Sequence, residues 1–418
     1  MGVNSETVLT VSALGSAGDG LAQDERGERW IIPSTLPGDV VRVTRGGRRS
    51  GMAIVDAFEF ERRSPERAAS FCAVQRCGGC VLREWSGAAA ARWKHDEVVR
   101  ILERAGVEAS RVQPLVADGA LAYRHRTRLH RTRGGTGFFA GASHQVVAFD
   151  VCKVLHPELD ARVQALIRAI AKTEILGEIE CVYSPDDRRL AIEAVLDKSA
   201  DEKAAQDALR ALVSGRVVDG AIGVGKKHGT RRHGEPSVLL RHPAFDAAKF
   251  FLEPGVFSQA NLAMNARLVA LVAAAVPRGA RVLELHAGAG NLTLGYAAQA
   301  ATVTASEWDE QAILCLRRNV EAHGASVKIL AAGDVEALRA DASGANVLVL
   351  DPPRTGAKKV AEMIGSGFER IVYVSCDVAT LARDAQIMAE KYRIVSATPV
   401  DMFFGTPHIE CVAVFEPK

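Results

Sequence analysis

The rhythm of hydrophobic and polar positions changes along this chain. Between residues 6 and about 60, short β-branched runs (TVLTVSAL, RWIIP, DVVRVT, MAIVDAF) are cut by turn signals at Gly18 to Gly20, Pro37 to Asp39 and Gly46 to Gly47. This pattern predicts a small antiparallel barrel. A helical stretch is expected at 88–105, and YRHRTRLHRTRGGTGFFAG, residues 123–141, reads as a basic hairpin closed by glycines. From about residue 250, apolar strands alternate with helical segments: RVLEL before a glycine loop and LTLGYAAQAA, TVTASE before EQAILCLRRNVEAHG, NVLVLD before a further helix, and RIVYVS before ATLARDAQIMAEKY. Such alternation predicts an open, mostly parallel sheet wound on both faces. The last two runs, RIVSATPV and HIECVAVFE, have no helix between them and read as an antiparallel hairpin at one sheet edge.

Composition narrows the class. The 418 residues allow two or three domains, and 48% apolar with 24% charged residues is ordinary for a globular protein. A net charge of +2 means that any affinity for nucleic acid must come from local basic patches. RGGRR, residues 45–49, puts three arginines on a barrel turn, and KKHGTRRHG, residues 226–234, is expected as a basic loop. In the hairpin, period-two alternation puts Arg124, Arg126, Arg128 and His130 on one face. Like charges so placed repel unless an anion neutralises them, and a phosphate backbone is a natural partner. Neither a secretory signal nor a bilayer-length apolar run is visible, so a cytoplasmic location without membrane contact is expected. The eight cysteines are then reduced, and a tight group of them points to metal or catalysis rather than to disulfides.

VLELHAGAGNLT, residues 282–293, is a strand, a glycine loop and a helix start, a place where bare backbone N–H groups receive a polar ligand. Thr293 stands where a nicotinamide fingerprint has its third glycine, which disfavours a dinucleotide oxidoreductase. Glu284, within the strand, suits a cationic amino-acid ligand, and Glu307, ending the next strand, suits ribose hydroxyls. The pair argues for S-adenosylmethionine.

Asp351, in VLVLDPPRTG, and Cys376, in IVYVSCDVATLA, both end strands and therefore face one crevice. Arg354 follows the double proline where methylation of an exocyclic base amine commonly uses a stacking aromatic. Carbon methylation remains, and there a thiol has a task. Added to carbon 6 of uracil, it makes carbon 5 nucleophilic, and a base must later remove the carbon 5 proton. A helix N-terminus beside Cys376, capped by Ser375 or Asp377, is expected to lower the thiol pKa. His408 and Glu410, two apart at a strand start, are both candidates for the base. Cys72, Cys77 and Cys80 in FCAVQRCGGC, with Cys152 beyond the hairpin, suit zinc or an iron–sulfur cluster equally by ligand type.

Together these residues resemble the RNA 5-methyluridine (uracil-C5) methyltransferase family, in particular its iron–sulfur members that act on 23S ribosomal RNA, over nearly the whole chain. The resemblance implies an α/β fold: an N-terminal TRAM-like, OB-like barrel at 1–62 that binds RNA, a central α+β domain at 63–250 with the cluster and basic hairpin, and a class I, Rossmann-like methyltransferase domain at 251–418. The helix at 88–105 is left free to pack on the catalytic domain. FFLEPGVFSQAN resembles the family's phenylalanine, glutamine and asparagine motif, which implies that Gln259 contacts the methyl donor; His286, Asn291, Glu307, Asp334 and Asp351 match further donor-binding positions. VSCDVATLARD implies Cys376 as nucleophile, PHIECV favours Glu410 over His408 as base, and Cys72, Cys77, Cys80 and Cys152 match the ligands of a 4Fe-4S cluster.

The chain departs from the family pattern in three places. Four residues instead of five separate Cys72 from Cys77, His286 replaces an aromatic, and Asp377 and Val378 replace asparagine and proline. A carboxylate at 377 is expected to raise the thiol pKa and shift the pH optimum upward. The resulting expectation is a monomeric RNA (uracil-5-)-methyltransferase using S-adenosylmethionine, with no obligate protein partner. Its alternatives are the same chemistry on transfer RNA, or an RNA-binding iron–sulfur protein whose methyltransferase domain is inactive.

Overall fold

The computed structural model describes residues 7–341 and 344–418. Six strands form the N-terminal sheet: β1 (Thr7–Thr10), β2 (Ala13–Leu14), β3 (Gly20–Gln23), β4 (Arg29–Ile32), β5 (Val40–Arg49) and β6 (Met52–Arg62), in the order β1-β5-β6-β4-β3-β2. It closes on itself because β1 and β2 are halves of one bent segment. Its start pairs with β5, while the Ser12 N–H donates to Leu21 O of β3 at 2.9 Å. The interior is filled by alternate residues such as Leu9, Trp30, Ile32, Val41, Val43 and Val55. The barrel is not purely antiparallel, since β4 pairs in parallel with β6. The RGGRR arginines lie in the exposed end of β5 and the turn is Ser50–Gly51. Each meets an acid: Arg45 and Arg48 reach Glu28 at 2.7 and 3.2 Å, and Arg49 reaches Asp19 at 2.7 Å.

Helix α1 (Gly87–Arg104), N-capped by Ser86, buries Val98 and Leu102 in the core of the C-terminal sheet beside Leu348, Ile371 and Leu381. The central sheet comprises β7 (Arg126–Thr132), β8 (Gly135–Phe139), β9 (Val146–Val147), β10 (Gly177–Tyr183), β11 (Leu190–Leu196), β12 (Gly220–Gly225) and β13 (Gly229–Gly234), in the order β13-β12-β11-β10-β7-β8-β9. Helices α2 (Pro157–Ile170) and α3 (Glu202–Ser214) cover the face made by Leu129, Ile179, Cys181 and Ile192. Arg126, Arg128 and His130 share the opposite face, as alternation requires, but the chain itself supplies anions for them. Arg126 is paired with Glu180, Arg128 reaches Glu178 and Glu180 at 3.4 and 3.3 Å, and His130 lies 3.9 Å from Glu178. Strand pairing sets these charges opposite each other, with Glu180 across from Arg128 and Glu178 from His130. Arg124 precedes β7 and stands over the Phe403 ring at 5.0 Å. The stretch 226–234, expected as a loop, mostly forms the edge strand β13.

A ribbon of β14 (Val238–Arg241) and β15 (Ala248–Leu252) leads into α4 (Leu262–Ala275) and the C-terminal sheet. Its elements are β16 (Arg281–Leu285), α5 (Asn291–Tyr296), β17 (Thr302–Glu307), α6 (Glu310–Ala322), β18 (Lys328–Ala331), α7 (Asp334–Asp341), β19 (Val347–Leu350), α8 (Lys358–Met363), β20 (Arg370–Ser375), α9 (Val378–Met388), β21 (Tyr392–Val400) and β22 (Glu410–Pro417). The strand order is β18-β17-β16-β19-β20-β22-β21, parallel except for β22, which is antiparallel to both neighbours. Helices bury both faces, so strands such as VLVL are apolar throughout. The order reverses between β16 and β19, where open α/β sheets bind ligands beyond the strands' carboxyl ends. Because β22 runs the other way, its first residue lies at that same edge. No helix among the described residues is long and apolar enough to cross a membrane.

Candidate active site

Strand pairing brings the candidate reacting groups together. Ser375, the last residue of β20, pairs with Cys411 of β22, so Cys376 lies opposite Glu410. Asp351 follows the last residue of β19, the strand on the other side of β20. Glu410 is buried and Cys376 half-buried, whereas His408 is exposed on the preceding loop. Asp377 is the cap of α9: its Oδ1 accepts the Thr380 N–H at 3.0 Å, while Ser375 Oγ accepts the Asp377 N–H at 3.2 Å.

The electrostatics run against the expectation of a lowered thiol pKa. Burial first, then the Glu410 and Asp351 carboxyls, push Cys376 up to about 11, while Arg354 and the backbone N–H pull it down. Glu410 is raised to about 8 by burial and Asp351, again with Arg354 opposing. Burial alone raises Asp351 to about 7. The helix N-terminus is present, but desolvation and two carboxyls outweigh it. The carboxyls that act on the thiol are therefore brought by the fold, while Asp377 turns its own to the helix.

The candidate donor residues line the neighbouring part of the edge. Glu307 accepts three backbone N–H groups, those of Gly288, Trp308 and Asp309 at 2.9, 2.8 and 2.9 Å, and so ties the glycine loop to the end of β17. His286 adopts φ 60°, and its Nε2 lies 3.7 Å from Asp334 Oδ2. Burial lowers its pKa against the pull of Asp334 and Glu307. Asn291 and Asn265 exchange amide hydrogen bonds of 2.8 Å each beside a crevice of about 30 Å³ that Gln259 also lines. Gln259 Oε1 is buried there with no hydrogen-bond partner among the described residues. Glu284 does otherwise than the sequence suggests. Its side chain is buried in the core, where Oε2 accepts the Thr293 and Tyr296 hydroxyls at 2.5 Å each and braces α5, with its own pKa raised to about 7.

Comparisons with known proteins bear on the family and the fold. Residues 335–418 match the family model described as tRNA (Uracil-5-)-methyltransferase, and residues 247–372 match the methyltransferase small domain. A 23S rRNA (uracil(1939)-C(5))-methyltransferase RlmD from Chromohalobacter salexigens is 31% identical over 96% of this chain and 87% of its own length. One from Pseudomonas aeruginosa is 31% identical over 99% and 95%. The chain belongs to the RNA uracil-C5 methyltransferase family. An uncharacterized RNA methyltransferase of Caulobacter vibrioides is equally similar, 31% identical over 97% of this chain. The crystal structure of the Pyrococcus abyssi tRNA (uracil-54, C5)-methyltransferase with S-adenosyl-L-homocysteine covers 98% of this chain and all of its own with a TM-score of 0.75, at 23% identity, which shows the shared fold. The protein is thus an S-adenosylmethionine-dependent RNA (uracil-5-)-methyltransferase.

The methyltransferase also gathers Cys72, Cys77, Cys80 and Cys152 around one cavity of about 200 Å³. Among the described residues, no three Cys, His, Asp or Glu side chains are close enough to hold a single metal ion. The loop is shaped by Arg83, whose guanidinium is bonded to the carbonyls of Val74, Cys77 and Cys80. Gly78 packs on the backbone of the β8–β9 turn, where a Cβ would come within 2.9 Å of Gly141 N. Sequence reasoning missed Arg83, since one arginine after a cysteine loop is not distinctive. It also missed the buried pair of Lys94 on α1 and Asp401 after β21, 2.6 Å apart, because 307 residues separate them. Arg354 was visible as the residue after the double proline, but its role as the cation facing Cys376 and Glu410 depends on the fold.

Proposed function

We propose that this enzyme methylates carbon 5 of a uridine in 23S ribosomal RNA. Cys376 adds as thiolate to carbon 6, and electron density moves to carbon 5. Gln259, His286, Asn291, Glu307, Asp334 and Asp351 would hold S-adenosylmethionine, which would supply its sulfonium methyl group to carbon 5 and leave as S-adenosylhomocysteine. Glu410 then takes the carbon 5 proton, the carbon 5 to carbon 6 double bond re-forms, and the Cys376 thiolate leaves. The single observation that carries this reading is the strand pairing that sets Cys376 opposite Glu410 at the sheet edge where Asp351 ends β19. Target access requires the uridine to leave its stack.

Cys72, Cys77, Cys80 and Cys152 would hold a 4Fe-4S cluster. All four line one cavity, and thiolate ligands suit such a cluster. The N-terminal region 1–62, whose first six residues lie outside the described ones, acts as a TRAM-like RNA-binding domain, the region 63–250 carries the cluster and the hairpin, and 251–418 performs the chemistry in the cytoplasm. The 23S assignment draws on the named substrates of the RlmD relatives. Transfer RNA is the second reading, favoured by the full-length fold likeness to a transfer RNA enzyme. Incubation with S-adenosylmethionine and 5-fluorouridine-substituted RNA tests both. A methylated adduct on the Cys376 peptide with a 23S fragment but not with transfer RNA is expected. The reverse selectivity would replace the substrate, and an adduct on another residue would remove Cys376 from its role.

A further inference from the structure

The loop at 401–409, between β21 and the Glu410 that begins β22, is held from outside its own sheet at nearly every step. Lys94 Nζ donates to Asp401 Oδ1 at 2.6 Å and to Phe403 O at 3.3 Å, and Asn261 Nδ2 donates to Met402 O at 3.2 Å. Arg124 covers the Phe403 ring, and Tyr123 Oη donates to Phe404 O at 3.3 Å. The cysteine loop holds the middle of this loop. The Leu82 N–H donates to Gly405 O at 3.0 Å, and the Phe71 and Phe404 rings lie 5.8 Å apart. Gly405 has φ 79°, and a Cβ there would come within 2.7 Å of Phe71 Cζ and 3.7 Å of Cys80 Cβ. Thr406 lines the cysteine cavity itself.

One loop therefore has the cysteine cavity at its middle and the base at its end. We propose that the cysteine-lined segment 71–83 is a clamp that positions loop 401–409, and through it the Glu410 carboxyl, so that the state of the cavity governs proton removal rather than RNA capture or thiol addition. Phe71, Leu82 and Tyr123 are then positioning residues. The proposal rests on Glu410 being the base. In the final step the carbon 5 to hydrogen bond breaks, its electron pair forms the carbon 5 to carbon 6 double bond, and the sulfur to carbon 6 bond breaks with both electrons going to Cys376. A misplaced carboxyl leaves the methylated, cysteine-bound RNA waiting.

The test compares Gly405→Ala, Tyr123→Phe and Glu410→Gln by turnover, KM for unsubstituted RNA, adduct on a denaturing gel and deuterium exchange of peptides covering 81–86 and 401–410. Gly405→Ala is expected to lower turnover at least tenfold with KM within twofold, to accumulate the methylated adduct as Glu410→Gln does, and to exchange at least tenfold faster in both peptides. Tyr123→Phe should show a smaller change in the same direction. Wild-type enzyme stripped of bound metal by a chelator should show the same faster exchange, a readout that needs no activity. Unchanged exchange, or a loss of turnover without adduct while Glu410→Gln accumulates it, overturns the clamp alone. No adduct with Glu410→Gln overturns the base assignment and the clamp with it. Should Gly405→Ala fail to fold, Tyr123→Phe decides: more adduct than wild type supports the proposal and a wild-type level overturns it.

Discussion

The enzyme contains two thiol sites, and both raise a cysteine pKa, though their surroundings differ. At Cys80, pushed up to about 12, burial acts first and the neighbours that add to it are Cys152 and Cys77. At Cys376, pushed up to about 11, burial is joined by carboxyls and opposed by Arg354. The first site is a loop, held by Arg83 and by packing against neighbouring segments. The second is built on strand ends whose separation is set by the sheet ladder. Arg124 and Arg83 lower the first as Arg354 lowers the second, so the two sites differ in what adds to burial, thiols at one and carboxyls at the other. A thiol beside carboxyls and an arginine can instead be tuned by proton occupancy, as a catalytic group requires.

The strongest way to break the contrast is to remove the thiol proposed as nucleophile. Cys376→Ala should lower turnover by a factor of about 10³ or more, and intact mass should show no adduct with 5-fluorouridine RNA. Cys152→Ala should by contrast still form the adduct, with its deficit in turnover and thermal stability; loss of adduct there would merge the two sites into one. Arg354→Ala should lower turnover at pH 7.5 by about ten- to a hundredfold. It should also move the profile upward, because the cation that lowers both Cys376 and Glu410 is gone. In wild type, activity should rise between pH 7 and 9, as Glu410 gives up its proton near 8 and the Cys376 thiolate fraction grows. A profile that falls over that interval would contradict both directions.

Glu284→Gln sharpens the difference between a carboxyl that braces a helix and the one proposed as base. An acid with a raised folded pKa binds its proton more tightly folded than unfolded, so its stabilisation is present at low pH and is lost as pH rises from about 4.5 to about 7. The variant should therefore be more stable than wild type at pH 8 by about 1–3 kcal/mol and gain little at pH 5, as read from chemical denaturation. The smallest effect is expected for Asp377→Asn. Asparagine caps a helix as well as aspartate, so the pH profile should shift by no more than about 0.3 unit. A larger shift would restore Asp377 as a direct influence on the thiol.

Sequence reasoning read the parts of the molecule that rest on local rules. The alternation of VLVL, RIVYVS and their helices foretold a doubly wound sheet, and the missing helix before HIECVAVFE foretold the antiparallel β22, because a buried parallel strand must be apolar on both faces and needs a crossover to its neighbour. DPPR and SCD at strand ends pointed to one crevice for the same reason. The signs and partners of charge were not legible. Arg126 and Arg128 find their anions in Glu178 and Glu180 of β10, and Glu284 accepts the Thr293 and Tyr296 hydroxyls, pairings that no local spacing shows.

Sequence by itself determined the elements, their order and the residue types at each strand tip, since these follow from periodicity and from backbone sterics within a few residues. Only the tertiary structure decided that Cys376 lies under two carboxyls rather than simply at a favourable helix end. The same holds for the loop before Glu410, held by Lys94, Tyr123 and Leu82. Burial and Coulomb interactions depend on which distant segments come within a few ångströms, and that distance is a property of the packed chain rather than of any stretch of it.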